Sequence, residues 1–267
     1  MSASDRESRA SESSRESSTT PEPPRKKIRF STHEGPQIEL RPITIRVGST
    51  DDEFYIHEKL LRSTSSFFDN ALKEGWKEGQ GGIIRLSEVE PAIFTIWTKW
   101  LYTGRMFVMK DGDDRIGPDG DSYSGEWDRL RDCYASGDFL QDSDFKDATI
   151  DALVTRMVET DCYPLGLARY IYDYSNKGSA HRQLAIDTCV RVWDRDDYAD
   201  LLTEDEFNNA FQPRQFLCDV LAKIGPNLET GIKEKDAGKF FDLNDTCKYH
   251  DHGSDKPCYK MKPAFNF

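Results

Sequence analysis

The stretch PAIFTIWTKWLYTG, residues 91–104, constrains this chain more than any other part of it. Ile93, Ile96, Trp97, Trp100 and Leu101 recur at i, i+3, i+4, i+7 and i+8, a spacing that lines one side of an α-helix with apolar surface. Two tryptophans on such a stripe must be buried, so the helix belongs at the centre of a core. Pro91 suits a first helical turn, where no N–H is required, and Gly104 suits its end.

Something must pack against that stripe, and the residues before it supply sheet. Ile43, Ile45 and Val47 alternate with Thr44 and Arg46, the period of a half-buried strand. Gly48 to Asp52 gives a turn, after which Phe54 and Ile56 alternate with Glu53 and Tyr55 in a strand able to close a hairpin. Two short helices are expected next. The first holds Leu60 and Leu61; the second starts near Ser65, places Phe67, Phe68, Ala71 and Leu72 on one face, and stops at Gly75. Gly81-Gly82 precedes a third strand, Ile83-Ile84-Arg85-Leu86.

Beyond the central helix, Lys110 to Glu126 is rich in Asp and Gly and reads as an inserted surface loop. Helices resume near Trp127, with Leu130, Cys133 and Tyr134 in one and Phe145, Ile150, Leu153, Val154 and Met157 in the next, for which Ser143 is the expected cap. Further helices are expected over roughly 164–174, 179–194, 203–211 and 213–224, with Thr203 and Glu206 as a capping-box pair and Pro213 in a first turn. The pattern predicts an α+β fold. A small mixed sheet flanked by a helical cluster occupies 41–160, with an insert at 107–126; an all-α extension covers 161–226, and a polar C-terminal tail covers 227–267.

Composition narrows the function classes. Residues 1–24 are mainly Ser, Glu, Arg and Pro with almost no apolar content, too little to offset the entropy of ordering, so a disordered tail is expected, running with the basic segment to residue 40. Within it Arg25, Lys26, Lys27 and Arg29 form a basic run readable as a nuclear localisation signal. A net charge of −12 argues against general attraction to nucleic-acid phosphates. No stretch approaches the roughly 20 apolar residues of a membrane span, and MSASDRESRASESS lacks the apolar centre of a signal peptide. The expected setting is intracellular, cytoplasm or nucleus, with neither membrane nor nucleic acid as a direct partner. Six scattered cysteines do not suggest a disulfide framework, and Cys133, Cys162, Cys189 and Cys218 read as small buried apolar residues.

The order of elements, and the wording of two segments, resemble the BTB/POZ domain family. FYIHEKLLRSTSSFFDNALKEGWKEG is similar to its signature of an aromatic before a histidine, a leucine pair, a serine and paired phenylalanines, with His57, Ser63, Phe67 and Phe68 in those places. IIRLSEVEPAIFTIWTKWLYTG resembles the family's third strand and central helix, and CYASGDFL its next helix. Downstream, ARYIYDYSNKGSAHRQLAIDTCV and PRQFLCDVLAKI resemble the extension of BTB proteins from filamentous fungi. The insert is longer than the family's, and no helix is evident before Ile43, although such a helix contributes to domain-swapped dimers in many members. The resemblance implies protein partners, homodimerisation and, in many members, docking onto a cullin scaffold so that a bound substrate is ubiquitinated. Cullin-binding members carry a hydrophobic-x-Glu motif after the helix pair, and Trp76-Lys77-Glu78 falls there. Without ligase docking, the same module implies oligomerisation in nuclear regulation.

Chemistry-bearing residues outside that resemblance are few. Cys247, His250, His252 and Cys258 place four ligands within twelve residues, the number and types that tetrahedral Zn²⁺ requires, although the spacing is not that of a standard finger. Asp111, Asp113 and Asp114 do not make a calcium loop, because Ile116 and Ser122 occupy the positions of its required Gly and Glu. No phosphate loop, nucleophile elbow or HExxH motif is present, and Cys133 and His57 belong to structural segments. The sequence therefore predicts a binding module that is not an enzyme, and no cofactor apart from a structural zinc.

Overall fold

A computed structural model describes residues 42–73, 83–116, 122–164, 166–193, 212–225, 237–253 and 256–262. The 1–40 tail with its basic run, the Trp76-Lys77-Glu78 motif, Gly75, and the 203–211 helix with Thr203 and Glu206 lie outside the described residues.

β1 (Pro42–Val47) and β2 (Asp52–His57) pair antiparallel, and β3 (Ile83–Leu86) runs parallel to β1 on its other side, giving the sheet order β2-β1-β3. Alternation fixes which face is buried. Ile43 and Ile45 lie opposite Ile56 and Phe54, and Ile45 and Val47 lie opposite Ile84 and Leu86. The turn between β1 and β2 begins at Gly48, whose φ of 74° is costly for any residue with a side chain. A Cβ there would also come 2.8 Å from Pro91 Cγ, so this glycine lets the hairpin turn touch the start of the central helix.

α1 (Glu58–Thr64) and α2 (Ser66–Ala71) follow β2. The capping residue of α2 is the buried Ser65, whose Oγ accepts the Phe68 N–H at 3.2 Å, whereas Ser63 Oγ donates to the Leu60 carbonyl. α3 (Pro91–Thr103) is the central helix, with Pro91 in its first turn and Gly104 closing it in the left-handed conformation. Trp97 and Trp100 are completely buried. Phe68 stacks on Trp97, Phe94 meets Phe54 edge-on, and Trp100 packs on Phe145, so α3 joins the sheet side to the helices that follow.

The Asp-rich insert is not only a loop. It contains β4 (Asp114–Ile116) and β5 (Ser122–Ser124), paired antiparallel as a second two-stranded sheet. α4 (Gly125–Phe139) and α5 (Ser143–Thr160) pack against each other, followed by α6 (Leu167–Asp173), α7 (Ala180–Arg191), α8 (Arg214–Ile224) and the single turn α9 (Ala237–Phe240). The cap of α5 is Asp142, one residue before the expected Ser143: its Oδ1 accepts the Phe145 N–H at 3.0 Å and its Oδ2 accepts the Trp97 indole N–H at 3.0 Å. Pro213 is the cap of α8 rather than a residue of its first turn. Cys162 and Cys218 are exposed, unlike Cys133 and Cys189, because Cys162 follows the left-handed end of α5 and Cys218 sits off the buried Phe216–Val220 stripe of α8. One continuous core runs from Ile43 to Tyr259. Among the described residues no helix is long and apolar enough to cross a membrane.

Candidate functional site

The segment read as a polar tail is docked. Phe241, Tyr249 and Tyr259 are buried against the helical region, and two 3-10 turns, Cys247–Tyr249 and Tyr259–Met261, carry the chain between them. The receiving surface is an acidic stripe on α5. Asp144, Asp147 and Asp151 fall at i, i+3 and i+7, one face of the helix, a spacing present in the sequence but masked there by the apolar residues between them. Lys256 and Lys262 pair with Asp144, the Asp251 N–H reaches Asp147 at 3.0 Å, and Lys260 meets Asp151 at 2.9 Å. Tyr259 donates its hydroxyl hydrogen to Asp151 as well. Burial pushes the Asp151 carboxyl up, but hydrogen bonds from His250, Thr246 and Tyr259 hold it down at about 2.

Two further contacts tie this segment to α7. The Asp251 carboxylate accepts from Ser179 Oγ and from the Ala180 N–H, both at 2.6 Å, at the start of that helix. His181, 1% exposed, bonds Asp147 through Nε2 at 2.8 Å and Tyr134 through Nδ1 at 2.8 Å, linking α7, α5 and α4. Tyr249 donates to Asp187 at 3.3 Å.

On this platform the structure brings Cys247, His250, His252 and Cys258 together, with one potential ligand atom from each inside 4.8 Å of the others. His250 is buried and its Nε2 bonds Asp151 at 3.0 Å, which turns Nδ1 toward Cys258 Sγ, 3.5 Å away. His252 bonds the Gly253 carbonyl through Nδ1 at 2.7 Å, and its buried Nε2 has no hydrogen-bond partner. Burial and the adjacent Cys247 push the Cys258 thiol up to about 11, while the Lys260 N–H bonds its sulfur. Cys133, by contrast, is sealed in the core with its thiol pushed up to about 12 by burial, no setting for a nucleophile. His57 is likewise structural, its Nδ1 lying 2.7 Å from the Tyr102 hydroxyl.

The sheet, the helix pair and α3 make a unit of their own, with a row across the three strands, Tyr55-Thr44-Ile83, in which Tyr55 and Ile83 are exposed and Thr44 half-buried. Residues 37–124 match the family model of the BTB/POZ domain. This segment is a BTB/POZ domain. As such it is a non-catalytic module for protein–protein contact and oligomerisation, which gives the chain protein partners. No curated protein matches the chain. The matched residues pack on the helices that follow them: Trp97 within the match bonds Asp142 beyond it, and Trp100 rests on Phe145 of α5.

Proposed function

We propose that this chain is a substrate adaptor, in which the BTB/POZ domain docks onto a cullin scaffold and the helical extension presents a bound partner for ubiquitination. The observation that carries this reading is the BTB/POZ match over 37–124 with Trp76-Lys77-Glu78 in the connection between α2 and β3. A large aromatic followed by a carboxylate has the character of an interface anchor: the indole supplies apolar area, and the carboxylate supplies orientation. Continuity of the core from the domain into α4 and α5 favours a rigid bridge between scaffold and partner over a flexible tether. The test uses the full chain and the N-terminal region of a cullin in a pull-down followed by titration. Trp76→Ala/Glu78→Ala is expected to weaken binding by about 30-fold or more, the scale of a hot spot, with an unchanged melting curve. Failure of the parent chain to bind, or undiminished binding by the variant, removes the proposal.

The basic run Arg25-Lys26-Lys27-Ile28-Arg29 favours a second reading, a BTB homodimer serving nuclear regulation without a ligase. Neutralising that run distinguishes the two in cells, because only the second requires nuclear accumulation that is lost in the variant.

A further inference from the structure

We infer that Cys247, His250, His252 and Cys258 form a structural Zn²⁺ site that fastens residues 237–262 onto α5 and α7. The donor set is two thiols and two imidazoles, a combination suited to tetrahedral Zn²⁺. Convergence comes first. Bonds of about 2.3 Å to sulfur and about 2.05 Å to nitrogen set tetrahedral ligand atoms roughly 3.4–3.8 Å apart. The 3.5 Å between His250 Nδ1 and Cys258 Sγ is such an edge, and all four donors already lie inside 4.8 Å. Small rotations of the outer side chains would close the rest.

The hydrogen bonds around the cluster are those a metal needs. A ligating histidine usually gives its second ring nitrogen to a carboxylate or a carbonyl, which fixes the tautomer and leaves a lone pair on the first. Both histidines do so here: His250 Nε2 bonds Asp151, and His252 Nδ1 bonds the Gly253 carbonyl. The second of these leaves His252 Nε2 buried and without a partner, an arrangement that otherwise costs free energy. A ligand bond accounts for it.

Charge also balances. Zn²⁺ displaces one proton from each thiol, releasing two protons, and two thiolates with two neutral imidazoles leave the site with no net charge. A neutral centre can sit in the half-buried position these residues occupy. The segment has reason to need it. Among the described residues, 237–262 contains only one short helix and two 3-10 turns, so its own backbone supplies little of the order that its buried tyrosines require.

The proposal is tested on the full chain, produced without a histidine tag. Purified protein should carry about one equivalent of zinc, and after chelation it should take up Co²⁺ to give the intense visible bands and sulfur-to-cobalt absorption of a tetrahedral thiolate site. Cys247→Ser/Cys258→Ser should lose both signals, to below ~0.1 equivalent, while Cys162→Ser/Cys218→Ser keeps them. Chelation of the parent chain should raise amide exchange selectively within 237–262. Absence of zinc and of cobalt uptake by the parent chain overturns the proposal, as does full metal content in Cys247→Ser/Cys258→Ser. Because the cobalt spectrum is read on the parent protein, a poorly folded variant does not blunt the test.

Discussion

Asp142 ties the central helix α3 to the start of α5, and removing its side chain perturbs both. Its carboxyl is completely buried, capping α5 through the Phe145 N–H and accepting the Trp97 indole N–H of α3. In Asp142→Ala the lost cap costs about 1 kcal/mol, and the orphaned indole N–H about 1–3 kcal/mol, for a sum of about 2–4 kcal/mol. The penalty should depend on pH. Burial pushes the Asp142 carboxyl up to about 7, against the hydrogen bonds from Trp97 and Phe145, whereas in the unfolded chain it titrates near 3.9. Between those values the folded state binds more protons than the unfolded one, so this contribution to stability is full below about pH 4 and is lost as pH rises through about 7. From about pH 5 to about pH 8 the parent chain therefore loses about 2–3 kcal/mol through this one group, and the alanine variant loses none of it. Urea unfolding followed by tryptophan fluorescence at both pH values measures the difference directly. The variant should be clearly less stable at pH 5, with the two proteins drawing together at pH 8. A gap below about 0.5 kcal/mol at pH 5, or one that does not narrow with pH, would refute the reasoning.

Two other outcomes follow from geometry already described. Gly48→Ala forces a side chain into a left-handed turn and against the Pro91 ring, and thermal melting should show a loss of about 1–3 kcal/mol, whereas Gly253→Ala, with open space around it, should cost less. Among the four cysteines outside the Cys/His cluster, mass spectrometry of native protein exposed to a maleimide should find Cys162 and Cys218 modified first and Cys133 and Cys189 only after unfolding; early labelling of Cys133 would contradict its burial.

The elements whose periodicity is local were legible in the sequence. The α3 stripe, the alternation of β1 and β2, and the helices over 125–160 appear where the spacing puts them, because burial on one face leaves its period in the residues themselves. Long-range choices were not. Asp142 and Ser143 are both good caps side by side, and what selects Asp142 is an indole 45 residues earlier in the chain. Cys162 and Cys218 resemble the buried cysteines in type, and only the end of α5 and the orientation of α8 separate them. The Cys/His quartet could be picked out from its residue types, but the acidic stripe that receives it could not, since Asp144, Asp147 and Asp151 look like ordinary solvated charges until the lysines and tyrosines of 249–262 arrive from more than ninety residues away. For the same reason Phe241, Tyr249 and Tyr259, diluted among charges, gave 227–267 the look of a polar tail.

Those distant pairings set an order of events during synthesis. The bonds from Asp144, Asp147 and Asp151 to residues 250–262 span 99 to 118 residues, so α5 emerges from the ribosome bearing three carboxylates whose partners in that segment have yet to be translated. Contacts that close such long loops form late. The sheet and α3 can assemble long before, while Asp144 and Asp151 wait for Lys256, Lys260 and Lys262.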